Sequence, residues 1–448
     1  MTVKVNQKIA KNALTLALSL SLPLLSSINA LANNISLETL TKDVTYLASD
    51  QLNGRASFSK DIDAAADYIS QRYQEIGLVP MSGAKSFKQT FSITNIAPSS
   101  LSATLNGKTI SSEHIGMAST IEKIHWQSDK DFSTHVIGKT DNMRSVLGKL
   151  NQQGGKHLVL INSAHAKMFA GYSGYFARGL NKLNVDHQGA IIMILTDDET
   201  INSVDVNATT KITKQTLTNV IGVLPGNKQK NEVVLYSAHY DHLGAAPTGE
   251  GDVIFNGADD DASGTSAIIN LAEYFAKKGN NARSLMFSAF TAEEIGGFGS
   301  RHFSQQLNPD DVVAMINIEM IGKPSKFGAG KVWMTGMERS NLGELLNKAM
   351  QGKETAVHKD PYPEQNLFYR SDNATLARLG VPAHSFSSTQ LDKDKHYHKV
   401  TDDLASLDLN SMHQVVESLS ITTQGLVDGD ITPTRVDVNK VKGHGKIF

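Results

Sequence analysis

Five short stretches of this chain set His, Asp or Glu at or just beyond the end of an apolar run. They are His239-Tyr240-Asp241-His242, Asn256 to Gly264 with Asp259-Asp260-Asp261 at its centre, Thr291-Ala292-Glu293-Glu294, Asn317-Ile318-Glu319-Met320, and Tyr397-His398-Lys399-Val400-Thr401-Asp402. A short apolar run bounded by turn residues reads as a buried strand. In open α/β sheets, ligand sites collect outside the carboxyl ends of the strands. Burying unpaired charge costs several kcal/mol per ion, so the fold must bring these groups to a common counter-charge or neutralise each one separately.

His, Asp and Glu are also the nitrogen and oxygen donors that zinc accepts. His239 leaves the strand Val233 to Ser237 at the sheet edge, with Asp241 two residues on and able to face the same side. The expected work of Asp241 is to accept the imidazole hydrogen bond that fixes the ring for a metal; His242 competes for the ligand role. Three adjacent carboxylates at 259–261 repel one another unless cations or strong donors compensate, and a carboxylate shared by two metal ions would do so. Glu293 and Glu294 read as opening a helix. One of the pair can bind metal while its neighbour takes a proton from water. Glu319 follows Val312 to Ile318, an apolar run that should be buried, where a lone carboxylate needs a partner. His398, with Tyr397 before it and Asp402 after it, completes the set.

The rest of the chain supplies the frame. Lys4, Lys8 and Lys11 precede an apolar stretch from Ala13 to Leu25 and the small residues Ala30-Leu31-Ala32, the layout of an export signal at 1–32. Removing those 32 of 448 residues leaves 416, enough for two domains. Leu37, Leu40, Val44 and Leu47 follow Ser36 at helical spacing, and a second amphipathic helix runs from Ile62 to Ile76 before Gly77. From 99 to 217 the texture is β-rich: an Asn106-Gly107 hairpin, strands His157 to Ile161 and Ala190 to Leu195, and isolated histidines without a ligand cluster. From 218 to 430, strand and helix alternate, which favours a mixed, largely parallel sheet covered by helices on both faces. Expected strands there are Asn219 to Leu224, Val233 to Ser237, Leu285 to Phe290, Val312 to Ile318 and His384 to Phe386; expected helices are Ser263 to Lys277, Glu293 to Gln305, Leu342 to Met350 and Ser411 to Leu426. Residues 431–448 read as a polar tail.

These motifs, with Leu52-Asn53-Gly54-Arg55, Gly77-Leu78-Val79-Pro80, Ser371-Asp372 and Gly380-Val381-Pro382-Ala383, resemble the zinc-dependent exopeptidase family that includes bacterial leucyl aminopeptidases, glutamate carboxypeptidase and the transferrin receptor ectodomain. The resemblance covers nearly all of the chain after the signal. It implies an α/β zinc peptidase domain built from 33–98 and 218–430, with 99–217 inserted at the place of a protease-associated domain. It implies two zinc ions per chain: Asp260 bridging, His239 and Glu319 on one ion, Glu294 and His398 on the other. Glu293 would be the general base, Asp241 the residue orienting His239, and Tyr397 the group polarising the scissile carbonyl. A cis peptide bond between Asp260 and Asp261 is implied too. One departure stands out: the family more often has Asp where this chain has Glu319.

Composition narrows the function classes. With no cysteine, disulfides, thiolate ligands and a Cys nucleophile are excluded. Forty-three Lys and Arg against 45 Asp and Glu leave no basic excess for nucleic acid. The expectation is an exported, periplasmic or secreted aminopeptidase acting on peptides, with no stable membrane association once the signal is removed; the sequence sets no oligomeric state. Three rivals share the motifs. A carboxypeptidase or dipeptidase needs a convergent Arg, for which Arg370 is the candidate. A glutaminyl-cyclase-like transferase works with a single metal. A non-catalytic binding ectodomain is expected to have lost ligands or base, and none is missing.

Overall fold

The computed structural model describes residues 1–2, 34–185, 187–350 and 356–443, so the expected export signal falls almost wholly outside the described residues. The chain divides into two compact units, Met1–Gln89 with Thr218–Val441 and Thr90–Leu217 with Lys442–Phe448.

The first unit opens with helix α1 (Leu37–Leu47), whose Ser36 side chain accepts the Thr39 N–H at 3.2 Å. This is the expected N-cap. Helix α2 (Lys60–Ile76) stops at Gly77, which has φ 85°, the left-handed conformation that closes a helix. The strands of this unit are β1 (Val204–Leu224, which enters the unit at Thr218), β2 (Gln229–His239), β3 (Arg283–Phe290), β4 (Val312–Ile318), β5 (Val332–Met334), β6 (Val357–Lys359) and β7 (Ala383–Ser387). Their order is β6-β5-β7-β4-β2-β3-β1. Strands β3, β2, β4 and β7 run parallel, while β1 is antiparallel to β3 and β5 to β7. Every residue of β3 and β4 is buried, as parallel strands covered on both faces require. The pleat divides the core accordingly: Val234, Tyr236 and Ala238 of β2 join one apolar cluster, Leu235 the other. Helices α3 (Gly264–Lys278) and α5 (Leu409–Thr422) pack into the first cluster through residues such as Ile268, Leu271, Met412 and Val416.

Two expectations change here. The helix expected from Glu293 begins only at Phe298 (α4, Phe298–Ser304). Before it, Gly296 (φ 125°) and Gly297 (φ 64°) hold a turn that a helix cannot contain. Glu293 and Glu294 therefore sit on a strand-exit turn. The segment read as a tail is docked in its described part: Val436 is buried, and Arg435 donates to the carbonyls of Val312 (2.8 Å) and Pro309 (3.0 Å).

The second unit holds a four-stranded sheet in the order Ile115–Ser119, Ala190–Leu195, Lys156–Ile161, Ser133–Ile137, the last three parallel. Parallel neighbours need crossovers, and helices Met143–Gln153 and Ala166–Ala177 supply them. The unit is thus α/β rather than simply β-rich. Its hairpin falls at Asn106 (φ 50°) and Gly107 (φ 79°), pairing Leu105 with Lys108, as an Asn-Gly turn does.

Candidate metal centre

Asp260 lies at the centre of the site. One of its carboxylate oxygens is 3.1 Å from His239 Nε2, the other 3.2 Å from His398 Nε2. Each imidazole nitrogen faces a second carboxylate as well: His239 Nε2 is 3.4 Å from Glu319 Oε1, and His398 Nε2 is 3.2 Å from Glu294 Oε2. The five ligand candidates named from sequence thus meet in one place, in two half-sets that share Asp260. His239 is the last residue of β2, Glu319 follows β4, and Glu294 lies on the turn after β3. The parallel register that aligns β2 with β3 and β4 brings their ends together. His398 arrives on a separate loop, with φ 56°.

The three adjacent Asp residues divide their work, which answers their mutual repulsion. Asp261 accepts backbone N–H groups from His239 (3.3 Å), Gly264 (3.0 Å) and Met320 (3.1 Å). Asp259 accepts from Gly322 N–H (2.8 Å) and the Thr389 hydroxyl (2.7 Å), and pairs with Lys323 Nζ at 3.2 Å. Only Asp260 has both oxygens turned toward imidazoles. Asp261 also lies within ligand distance of His239 and Glu319, but its lone pairs are taken by main-chain donors, so Asp260 is the better ligand. The Asp260–Asp261 peptide bond is cis, in accord with the resemblance. Glycine is required at 264, where a Cβ would stand 2.3 Å from the Ile318 carbonyl oxygen.

Asp241 takes a different role from the one expected. Its carboxylate is 3.7 Å from His239 Nδ1, beyond hydrogen-bond reach. The ring nitrogen lies 3.1 Å from the Asp241 backbone carbonyl instead. The carboxylate accepts the N–H groups of Glu293 (3.0 Å) and Glu294 (3.3 Å) and the Ser57 hydroxyl (3.2 Å). Asp241 therefore orients His239 through its main chain and holds the Glu293-Glu294 turn through its side chain. Glu319 is held by Ser371, whose hydroxyl donates to Oε2 at 2.7 Å and leaves Oε1 facing His239. His242 Nδ1 approaches Glu294 Oε1 to 2.7 Å, but out of line: both atoms are buried and neither makes a hydrogen bond. Tyr397 stacks on His398, ring centroids 3.9 Å apart, and its hydroxyl accepts from Arg370 at 3.3 Å.

Protons stand in for cations in this arrangement. Hydrogen bonds to Asp260 and Glu294 push His398 up to about 10. Burial works against a charged His239, yet Glu319 and Asp260 outweigh it and hold its pKa well above the usual range. Burial raises Asp260, but His239 and His398 more than reverse this and hold it low. Burial drives Glu293 well up, reinforced by Asp372, Glu319 and Glu294. Nitrogen and carboxylate donors stand in two half-sets, and buried His242 and Glu294 atoms lack hydrogen bonds. Such a donor set fits a borderline-soft divalent ion such as zinc.

Two supports were missed in the sequence. Lys323 Nζ lies 3.2 Å from Asp259, 2.8 Å from Asp394 and 3.7 Å from Asp402. Asp394 in turn accepts the Tyr397 N–H at 2.8 Å, and Asp402 those of Asp259 and Asp260. One ammonium thus ties the Asp260 loop to the His398 loop. Arg55, quoted above only for its motif, is fully buried and donates to the carbonyls of Leu47, Tyr240, Asn256 and Gly257, bracing the same loop. A lone Lys after Gly322 carries no sequence signal. An Arg within Asn-Gly-Arg carries only a resemblance.

Comparison with known proteins bears on this geometry. Residues 219–422 match the model of peptidase family M28. Leucine aminopeptidase 1 of Ajellomyces capsulatus (strain H88) is 28% identical over 212 residues, covering 44% of this chain and 52% of that protein. Aminopeptidase YwaD of Bacillus subtilis (strain 168) is 27% identical over 180 residues, 39% of this chain and 36% of that protein. The chain thus spans about half or less of the length of these curated relatives. An aminopeptidase from Aneurinibacillus sp. strain AM-1 superposes with TM-score 0.54 at 16% identity, covering 92% of this chain and 97% of that one. A zinc aminopeptidase from Bacillus subtilis gives 0.53 at 16%, with 93% and 98% covered. At that identity the likeness establishes the fold: α/β, with a mostly parallel sheet flanked by helices.

Proposed function

With residues 219–422 forming a domain of the peptidase M28 family, we propose that the chain is an exported di-zinc aminopeptidase that removes N-terminal residues from peptides. The observation that carries this is the division of Asp260, one oxygen toward His239 and one toward His398, each imidazole backed by its own glutamate. His239 and Glu319 would hold one zinc, His398 and Glu294 the other, and Asp260 both. Zinc bound there supplies Lewis acidity toward a peptide carbonyl and water.

The remaining steps belong to the chain's own side chains. Glu293 is the general base, taking a proton from the attacking water and returning it to the leaving amine. Its backbone N–H, fixed on Asp241, keeps its carboxylate on the strand-exit turn beside the ligand Glu294. Tyr397, stacked on His398, has a hydroxyl hydrogen to offer the carbonyl oxygen. Arg370 donates to that hydroxyl, and a guanidinium, having no acceptor, does not compete for its proton. Export rests on the signal-like layout of residues 1–32; among the described residues no helix is long and apolar enough to cross a membrane. The inserted 99–217 segment is proposed to be a protease-associated-like domain by its place in the chain.

The test pairs a free-amine aminoacyl chromogenic substrate with its N-acetylated form, before and after chelation. The expected result is hydrolysis of the free amine alone, lost with chelator and restored by zinc. Full activity in chelator by protein without zinc would overturn the proposal, and equal cleavage of the blocked substrate would exclude an aminopeptidase.

A further inference from the structure

The cleft beside the metal candidates has a volume of 430 Å³, at the small end for ligand pockets. Its walls include Met320, Trp333, Leu367 and Leu391, and its lining also carries three cations, Arg370, Lys395 and Lys399. Among the described residues, the Arg370 side chain makes a single hydrogen bond, to Tyr397 at 3.3 Å, although a guanidinium carries several N–H donors. Lys399 Nζ donates to the Lys395 carbonyl, and among the described residues none of the three cations has a carboxylate partner. The nearby Asp394 is already spent on Lys323. Resting on the proposed function, the charge balance is then clear. Of the lining carboxylates, Asp260, Glu293, Glu294 and Glu319 face the two divalent ions and Asp394 faces Lys323, so Arg370, Lys395 and Lys399 are lining cations left without a direct carboxylate partner among the described residues.

We infer that this end of the cleft binds a carboxylate on the leaving-group side of the substrate, making the preferred substrates short peptides, with Arg370 as the carboxylate-binding residue. The reach agrees. Tyr397 stacks on His398 at one end and touches Arg370 at the other. The guanidinium therefore lies about two or three residues of extended chain from the ligand imidazole, at roughly 3.3–3.6 Å per residue. A planar fork matches a carboxylate with two parallel hydrogen bonds. Lys395 and Lys399 add positive potential that draws the anion in.

The carboxylate has two sources, the free C-terminus of a dipeptide and an acidic side chain, so the experiment uses Leu-Ala, Leu-Ala-amide and Leu-Asp-amide. The wild-type zinc protein is expected to favour Leu-Ala over Leu-Ala-amide by at least about tenfold in kcat/KM, the scale of a hydrogen bond to a charged group. Leu-Asp-amide is expected to match Leu-Ala if side-chain carboxylates also reach, and Leu-Ala-amide if only the terminus does; either outcome supports the inference. In Arg370→Gln the ratio of acid to amide should fall to near one, whatever the absolute rate. Equilibrium binding of the same peptides to zinc-loaded Glu293→Gln protein should repeat the ranking without turnover. Equal kcat/KM for all three peptides in the wild type overturns the inference and leaves the aminopeptidase standing, as does an equal loss on acid and amide in Arg370→Gln. Failure to hydrolyse any of them, with the binding preference intact, instead overturns the aminopeptidase.

Discussion

Both units of this molecule build three or more parallel strands with acidic residues just past their carboxyl ends, and only one of them makes a site there. In the second unit, Asp141 accepts the Gly138 N–H at 2.7 Å, and Asp197 accepts from the Asn162 side chain at 3.0 Å and the Ser163 N–H at 3.2 Å. Both are exposed, and each holds a turn through these bonds. In the first unit, Glu294 and Glu319 come off equivalent strand ends and meet Asp260, but all three are shielded from water and turned toward imidazoles. Emergence at a strand end is therefore no signature by itself. What separates the two regions is whether a shielded carboxylate has been satisfied locally. Among the described residues, no group of three or more His, Asp and Glu in the second unit falls within ligand distance; His135 and His157 meet only as a pair, 3.1 Å apart.

The largest expected effect breaks the comparison outright. Chelation should abolish peptidase activity completely, while thermal unfolding of the second unit, followed through Trp126 in a Trp333→Phe background, shifts little; a large shift there would mean that metal also supports that unit. Next comes Lys323→Met. It leaves Asp259, Asp394 and Asp402 without their cation and should cost about 3–5 kcal/mol of stability, read as a fall in denaturant midpoint for the first unit, with activity lost alongside. Glu293→Gln should keep its zinc and lower kcat by roughly 10²-fold or more. Glu294→Gln should instead lose one zinc by elemental analysis, because an amide is a poorer donor. If Glu293→Gln turns over like wild type, the assigned base is wrong. The smallest effect belongs to the second unit: Asn142→Ala removes the cap of helix Met143–Gln153, whose side chain accepts the Ser145 N–H at 3.0 Å. That should cost about 0.5–2 kcal/mol and leave kcat/KM unchanged.

The same contrast explains what was legible in the sequence. The expected bounds of β3, β4 and β7 fall within two residues of the observed ones, since strands buried on both faces are mostly apolar and stand out between turn residues. The ligand candidates were legible because five such segments occur in order along one chain, whereas a single Asp at a strand end, such as Asp141 or Asp197, has an ordinary use in a turn. The start of α4 was not: Gly296 and Gly297 break the turn through positive φ, which weakens no hydrophobic pattern. Asp241 was expected to hold the His239 ring with its carboxylate; that carboxylate instead bonds to the main chain of residues 52 and 53 positions away, a contact that no local spacing encodes. Lys323 was invisible for the same reason. Its three partners come from loops far away along the chain. In the second unit the helices between parallel strands were underweighted, although the need for crossovers implied them.

The triple contact of Lys323 bears on what zinc loading would require of the protein. Because one ammonium clamps the loops of Asp260 and His398 together from within the protein, their mutual position does not wait for an ion to set it. The conformational entropy of assembling the site is then lost during folding and not again at each loading event, the thermodynamic definition of preorganisation. Stripping the metal should behave as a reversible switch rather than a denaturation: the empty protein keeps its loops in place, and activity returns as fast as zinc can reach them.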